Sequence, residues 1–234
     1  MIIFPIYKTR QEILKGYGVT PDSDAGRWRI SALRKEGYIV PVSRTWCRVG
    51  PDRRFHLRQT SRDIQLVRVV RPLVDSCCVW SLTSINPLLV HQRTRRLTLV
   101  EVARADRRLV FERLRSERIR NVILETDTKW VIDHIGESDF DVVVRTLVGK
   151  SPLEDAKKGI PSLEKIIVDL FVDGQVLLGV AQSDLTHLVR MAFSEFCIDV
   201  RVMRSYARRR ATWDKLVSFI EMLQFVPSEV LRDP

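Results

Sequence analysis

The segment from Thr20 to Val49 constrains this chain more than any other. Thr20-Pro21-Asp22-Ser23 reads as a turn in which Asp22 or Ser23 can cap a helix. From about Asp24 to Glu36 the apolar residues follow a helical period, and Gly37 suits the left-handed position that closes a helix. Two short β-like runs come next, residues 38–42 and 46–49, separated by Ser43-Arg44-Thr45. Upstream, residues 7–14 can form a short helix stopped by Lys15-Gly16-Tyr17-Gly18. The expected order is therefore helix, turn, helix, hairpin.

That order is the one found in winged helix-turn-helix domains, where the second helix enters the DNA major groove. On a 100° wheel Gly26, Ile30 and Leu33 share one side of the second helix. Arg27, Ser31, Arg34 and Lys35 share the other, with Trp28 at its margin. A groove-reading helix needs this division: an apolar face to seat it and donors on the exposed face. Arginine suits guanine because its fork matches two acceptors at once. Arg44 and Thr45 at the hairpin tip, with Arg48 nearby, are the matching candidates for holding adjacent phosphates or entering the minor groove. Trp28 has a second reading, as a core residue lying against the wing.

Charge points the same way. The 234 residues carry a net charge of +10. Residues 1–60 hold twelve Lys/Arg against five Asp/Glu, whereas the remainder hold 27 against 24. Concentrated positive charge is the electrostatic footprint of a polyanion-binding surface. Gly50-Pro51-Asp52-Arg53-Arg54 reads as the exit from the basic unit. The expected organisation is a winged-helix domain over residues 1–55 and a larger domain over residues 60–234.

The larger domain alternates strand and helix. Residues 61–73 show a helical stripe at Ile64, Val67 and Val70, closed by Pro72. Strands are expected at 77–82, 97–102, 121–124 and 141–147, with helices at 83–90, 105–116 and 128–135. Beyond Pro161 the pattern turns helical, at 162–172, 183–196, 200–210 and 212–224. The fold class is α/β (α+β overall), with a helical C-terminal part. No apolar run is long enough to span a bilayer, and no signal peptide is read at the N-terminus, so a cytoplasmic protein is expected. Cys47, Cys77, Cys78 and Cys197 lack metal-ligand spacing and read as buried free thiols.

No nucleophile elbow, Walker loop or dinucleotide fingerprint occurs in residues 60–234. Asp133, Glu137, Asp139 and Asp141 cluster beside Lys129 and His134, and Glu101 lies on a strand. A metal-dependent nuclease would need such carboxylates to converge on an ion. Without a fixed spacing, a solvated acidic loop is the simpler reading. Asp169 lies inside an apolar run and is expected to form a structural pair with Lys165 or an arginine. His91, before Gln92, reads as a hydrogen-bonded structural histidine; His56 and His187 have no partners at ligand spacing. Arg208-Arg209-Arg210 has two readings: a helix end favoured by the macrodipole, or a second anion contact. No enzyme activity, metal or cofactor is expected.

The run Arg27-Trp28-Arg29-Ile30-Ser31-Ala32-Leu33-Arg34-Lys35-Glu36-Gly37-Tyr38-Ile39 resembles the winged-helix start of AbiEi-like antitoxins of bacterial type IV toxin–antitoxin systems. Further pieces occur in the same order as in that family: Val79-Trp80-Ser81-Leu82, Leu89-Val90-His91-Gln92, Thr98-Leu99-Val100-Glu101-Val102, Leu163 to Leu170 and Tyr206 to Arg210. The resemblance implies an N-terminal domain that binds operator DNA and represses its own operon. It also implies a C-terminal domain that counteracts a nucleotidyltransferase-like toxin. One departure is that only about six residues precede the first helix, where such domains usually carry another helix.

The expected function is a DNA-binding transcriptional regulator. Its expected partners are duplex operator DNA, a cognate toxin and a second copy on the DNA, because single modules of this size make few base contacts. Two other classes remain open at this point. One is a metal-dependent DNA nuclease targeted by a winged helix. The other is a protein-interaction module whose basic patch meets an acidic partner.

Overall fold

The computed structural model describes residues 5–91, 96–119, 121–125, 140–174 and 179–233. The chain is mixed α/β and forms two compact units: Met1–Phe55 together with Val189–Pro234, and His56–Leu188.

The first unit begins with β1 (Ile6–Thr9), α1 (Arg10–Lys15), α2 (Asp24–Lys35), β2 (Ile39–Pro41) and β3 (Trp46–Val49). The sequence expectation of a helix from residue 7 is corrected here. Residues 6–9 are extended because β3 recruits them as an antiparallel partner, with Ile6 opposite Val49 and Thr9 opposite Trp46. Thr9 then marks the change to helix. Its hydroxyl accepts the Glu12 N–H at 3.1 Å, and the Glu12 carboxylate accepts the Thr9 N–H at 2.7 Å. This reciprocal capping box satisfies two amides that the helix leaves open.

α2 starts where the sequence places it. Ser23 caps it by accepting the Gly26 N–H at 3.0 Å. Gly37 closes it in the left-handed region, at φ 78°. The Gly37 and Tyr38 amides return to the Arg34 and Leu33 carbonyls at 3.1 and 2.9 Å, the paired bonds of a Schellman motif. β2 and β3 form the expected hairpin, and the sheet order is β1-β3-β2. Ile13, Leu14, Ile30, Leu33, Ile39 and Cys47 make the core beneath the two helices. A groove of about 460 Å³ remains beside that core, lined among others by Ile13, Tyr17, Tyr38 and Val49.

The C-terminal residues belong to this unit, whereas the sequence expectation grouped them with residues 60–234. α6 (Gln182–Glu195) enters the unit at Val189 and is followed by α7 (Val200–Arg209), α8 (Trp213–Met222) and α9 (Ser228–Arg232). The Val200 N–H bonds to the Val42 carbonyl at 2.9 Å, and the Cys197 N–H to the Arg53 carbonyl at 2.8 Å. Phe196 meets Phe55 edge-on, with ring centroids 5.3 Å apart. Amphipathic helical periods state that a face is buried, not which sheet buries it.

The second unit is built on a four-stranded sheet of order β4-β5-β7-β6. Its strands are β4 (Cys77–Ser81), β5 (Arg96–Val102), β6 (Val122–Leu124) and β7 (Phe140–Thr146), at the places the sequence indicates. β4 runs antiparallel to β5, while β5, β7 and β6 are parallel. One face carries Val79, Val100, Val142 and Val144 against Leu66 and Val70 of α3 (Ser61–Val70) and Val110 and Leu114 of α4 (Arg107–Ser116). α3 is rotated from the expected stripe: Asp63, Leu66 and Val70 are buried and Ile64 is 40% exposed. Residues 83–88 form a 3₁₀ turn instead of the expected α-helix. A two-stranded hairpin, β8 (Leu153–Asp155) with β9 (Ile160–Pro161), leads to α5 (Leu163–Asp173). The expected helix at 128–135 lies outside the described residues. Among the described residues no helix is long and apolar enough to cross a membrane.

Candidate nucleic-acid interface

α2 divides as its sequence requires. Gly26, Ile30 and Leu33 are buried, whereas Arg27, Trp28, Ser31, Arg34 and Lys35 are exposed. Trp28 is 69% exposed, which settles its two readings against a core position. Arg27 pairs with Asp24 one turn earlier, and both side chains are largely in solvent. Such a pair contributes about 0–1 kcal/mol, so it does not commit the guanidinium. Arg29 lies over the Tyr17 ring at 4.1 Å, outside the row of candidate contacts.

Gly26 brings α2 against the preceding turn. A Cβ built there would stand 2.5 Å from the Thr20 carbonyl oxygen and 2.9 Å from that of Pro21. Only glycine allows this approach. Above it lies a cleft of about 210 Å³ floored by Leu14 and Ile30 and lined by Arg10, Arg27, Ser31 and Arg34. Arg10, at the start of α1, is the cation that helix-wheel reasoning on α2 misses. Its distance in sequence hid it; the β1–α1 junction brings it there.

The hairpin residues separate into three cases. Arg44 is exposed at the tip. Thr45 is exposed too, but its N–H and hydroxyl donate to the Asp233 carboxylate at 2.7 and 2.8 Å. Arg48 is a correction. It is 9% exposed, donates to the Ser194 carbonyl at 2.6 Å and lies 3.1 Å from Cys197 Sγ. In the β1-β3-β2 register its side chain falls on the sheet face that the C-terminal helices cover, so it is not presented at the hairpin tip. Arg208 and Arg209 are exposed at the end of α7, with Arg209 donating to Ser205 Oγ at 3.0 Å. Arg210 follows as the half-buried C-cap.

The second unit buries one connected set of charges. Glu101 on β5 faces Arg145 on β7 in register, with Arg145 Nε 3.0 Å from the carboxylate. α5 supplies Lys165, Asp169 and Asp173, four residues apart and thus on one helix face. Lys165 Nζ lies 2.5 Å from Glu101 and also pairs with Asp169, and Arg145 reaches Asp173 at 2.9 Å. The expected Lys165–Asp169 pair is therefore present. Burial works against the charge on Arg145, but Glu101, Asp169 and Asp173 outweigh it and hold the guanidinium protonated. Cys78, opposite Glu101 on β4, is fully buried, and burial pushes its thiol well up.

The remaining candidates are accounted for locally. Asp141 is buried and accepts from the Asn121 amide; Lys129, Asp133, His134, Glu137 and Asp139 lie outside the described residues. His91 Nδ1 is 2.9 Å from the buried Asp184, while its ring is otherwise exposed. His56 contacts Glu154. All four cysteines are buried and unbridged. Among the described residues no group of three or more His, Cys, Asp or Glu is placed to hold a metal ion.

A search of curated proteins finds no match to this chain. A protein-family model described as a family of unknown function, DUF6577, matches residues 25–225, which takes in α2, the hairpin, the whole second unit and α7. Spanning well over half of the sequence, that match shows that the chain belongs to the DUF6577 family.

Proposed function

We propose that the first unit binds duplex DNA as a winged helix-turn-helix, with α2 in the major groove and residues 43–45 as the wing. The carrying observation is the two-sided α2, whose Gly26, Ile30 and Leu33 are buried while Arg27, Ser31, Arg34 and Lys35 are exposed. Electrostatics supports it. Residues 1–55 with 189–234 carry nineteen Lys/Arg against eleven Asp/Glu, or +8 of the total +10. The second unit is left with twenty against eighteen. In this reading Arg27 and Ser31 face base edges, Arg34 and Lys35 hold the flanking phosphates, and Arg44 contacts the backbone beside them. Arg208 and Arg209 belong to the same basic unit and serve as a second anion contact.

The biological role follows as a cytoplasmic transcriptional regulator that acts on its own operon and binds repeated half-sites as two copies. The antitoxin role rests on the resemblance to the AbiEi-like family. The second unit then serves as a non-enzymatic partner-binding module, and its buried, mutually paired ions support a structural use of that charge.

A salt titration of binding to duplex from the protein's own promoter, against random duplex, tests the reading. Expected is promoter-selective binding that weakens steeply with salt as counterions are released. Arg34→Ala with Lys35→Ala should weaken it at least about tenfold. Unchanged affinity of that double variant at matched salt would sink the assignment. Loss of DNA integrity on adding Mg²⁺ or Mn²⁺ would replace it with a nuclease.

A further inference from the structure

The wing loop is held by a residue almost two hundred positions away. Asp233, just after α9, is only 8% exposed. Thr45 donates its N–H to Oδ2 at 2.7 Å and its hydroxyl to Oδ1 at 2.8 Å. The Ser43 hydroxyl donates to Oδ2 and accepts the Trp46 N–H at 3.2 Å. From α7, Arg204 donates to the backbone carbonyls of Leu231, at 3.3 Å, and Asp233. It also lies over the Trp213 ring at 5.5 Å, which fixes the segment that carries the carboxylate. On the other side the Thr45 carbonyl accepts the Arg10 N–H at 3.2 Å. Thr45 is thus engaged through amide, hydroxyl and carbonyl. Ser43 is buried, and Arg44 is left projecting between the two.

We propose that Asp233 is a positioning residue for nucleic-acid recognition: by clasping Ser43 and Thr45 it orders the wing loop and presents Arg44 to the phosphate backbone. The inference rests on the DNA-binding reading above. An unclasped loop would have to be ordered when the ligand binds, at an entropic cost that a pre-set loop avoids. The charge of Asp233 makes the role discriminating. A carboxylate beside a phosphate-binding loop repels the ligand. If Asp233 were only a negative charge near the interface, removing it would strengthen binding. As a clasp, its removal weakens binding.

The test uses the full chain and promoter duplex at one fixed salt concentration. Asp233→Asn, which is nearly isosteric but lacks one acceptor oxygen, should bind about tenfold more weakly, as expected for losing charge-assisted hydrogen bonds. Thr45→Val, which leaves net charge unchanged, should bind about threefold more weakly and keeps the test decisive should Asp233→Asn fail to fold. Arg44→Ala should weaken the unmodified protein but add nothing in the Asp233→Asn background. Hydrogen exchange at the Thr45 amide should quicken in Asp233→Asn without DNA present. Tighter or unchanged binding by both Asp233→Asn and Thr45→Val, or an Arg44→Ala loss of equal size in both backgrounds, overturns the clasp while leaving DNA binding intact. Absence of duplex binding by the unmodified protein at any salt overturns the DNA reading, and the clasp with it.

Discussion

Arg48 donates to the Ser194 carbonyl at 2.6 Å, tying the hairpin to the end of α6. A residue whose sequence position suggests a wing anchor is instead an internal strut of the first unit. Arg48→Ala should therefore destabilise the fold by about 2 kcal/mol, the scale of a hydrogen bond to a charged group. DNA affinity of the folded protein should stay within about twofold, well below the effect of a lost phosphate contact. Arg48→Lys should not rescue stability, because one ammonium cannot reproduce a planar fork that reaches both Ser194 and Cys197. Urea denaturation and binding measured below the transition separate the two effects.

Gly26 gives the opposite of the usual glycine-to-alanine result in a helix. Alanine would gain about 1 kcal/mol of intrinsic helix preference. Its Cβ would meet the Thr20 carbonyl oxygen at 2.5 Å, and overpacking of that kind costs about 3 kcal/mol. A net loss of about 2 kcal/mol is expected by chemical denaturation. A stabilised Gly26→Ala variant would show that α2 does not press on that turn.

Lys165 lies between Glu101 and Asp169, and all three are essentially fully buried. Lys165→Met should destabilise the protein by about 3–5 kcal/mol because it removes the ammonium from the buried Asp169 and leaves Glu101 with Arg145 alone. Adding Glu101→Gln and Asp169→Asn should recover part of that loss, since neutral partners no longer demand a counter-charge. Equal melting points for the single and triple variants would show that charge pairing at this site is energetically irrelevant.

Acid should release the loop at residues 43–45. Burial opposes ionisation of Asp233, but hydrogen bonds from Ser43 and Thr45, helped by Arg204, hold its carboxyl below the usual range. A carboxylate with a depressed folded value stabilises fully above its unfolded value of about 3.9, and the contribution is lost as pH falls through the folded value. The amides of that loop, followed by hydrogen exchange or NMR, should stay protected at pH 5 and lose protection only below about pH 4. The Asp233→Asn variant should lack this transition.

Much of the local structure was written in short stretches of sequence. Ser23 and Gly37 bracket α2 because a hydroxyl cap and a left-handed closing residue act on their immediate neighbours. The strands β4, β5, β6 and β7 were legible from apolar β-rich runs between turns. The division of α2 into a buried and a cationic face also followed from its own period. Pairing across distance was not legible. Residues 7–9 read as the start of a helix, but they are strand because β3 offers them an edge. α3 buries Leu66 instead of Ile64, and Asp63 on the same face accepts from the Ser81 hydroxyl of the neighbouring β4 at 3.0 Å, a partner that the helical period alone does not reveal.

The clearest division concerns charge. Composition and order along the chain determined that the N-terminal segment is basic and that α2 carries its cations outward. Only tertiary structure decided which cations remain outside. Arg48 and Arg44 lie four positions apart, yet strand register turns one into the covered face of the sheet while the loop leaves the other exposed. Arg10 and Asp233, outside α2 in sequence, converge on the hairpin loop through Thr45. Side-chain period is local and can be counted, whereas burial depends on what packs against that face, and here it is the C-terminal helices.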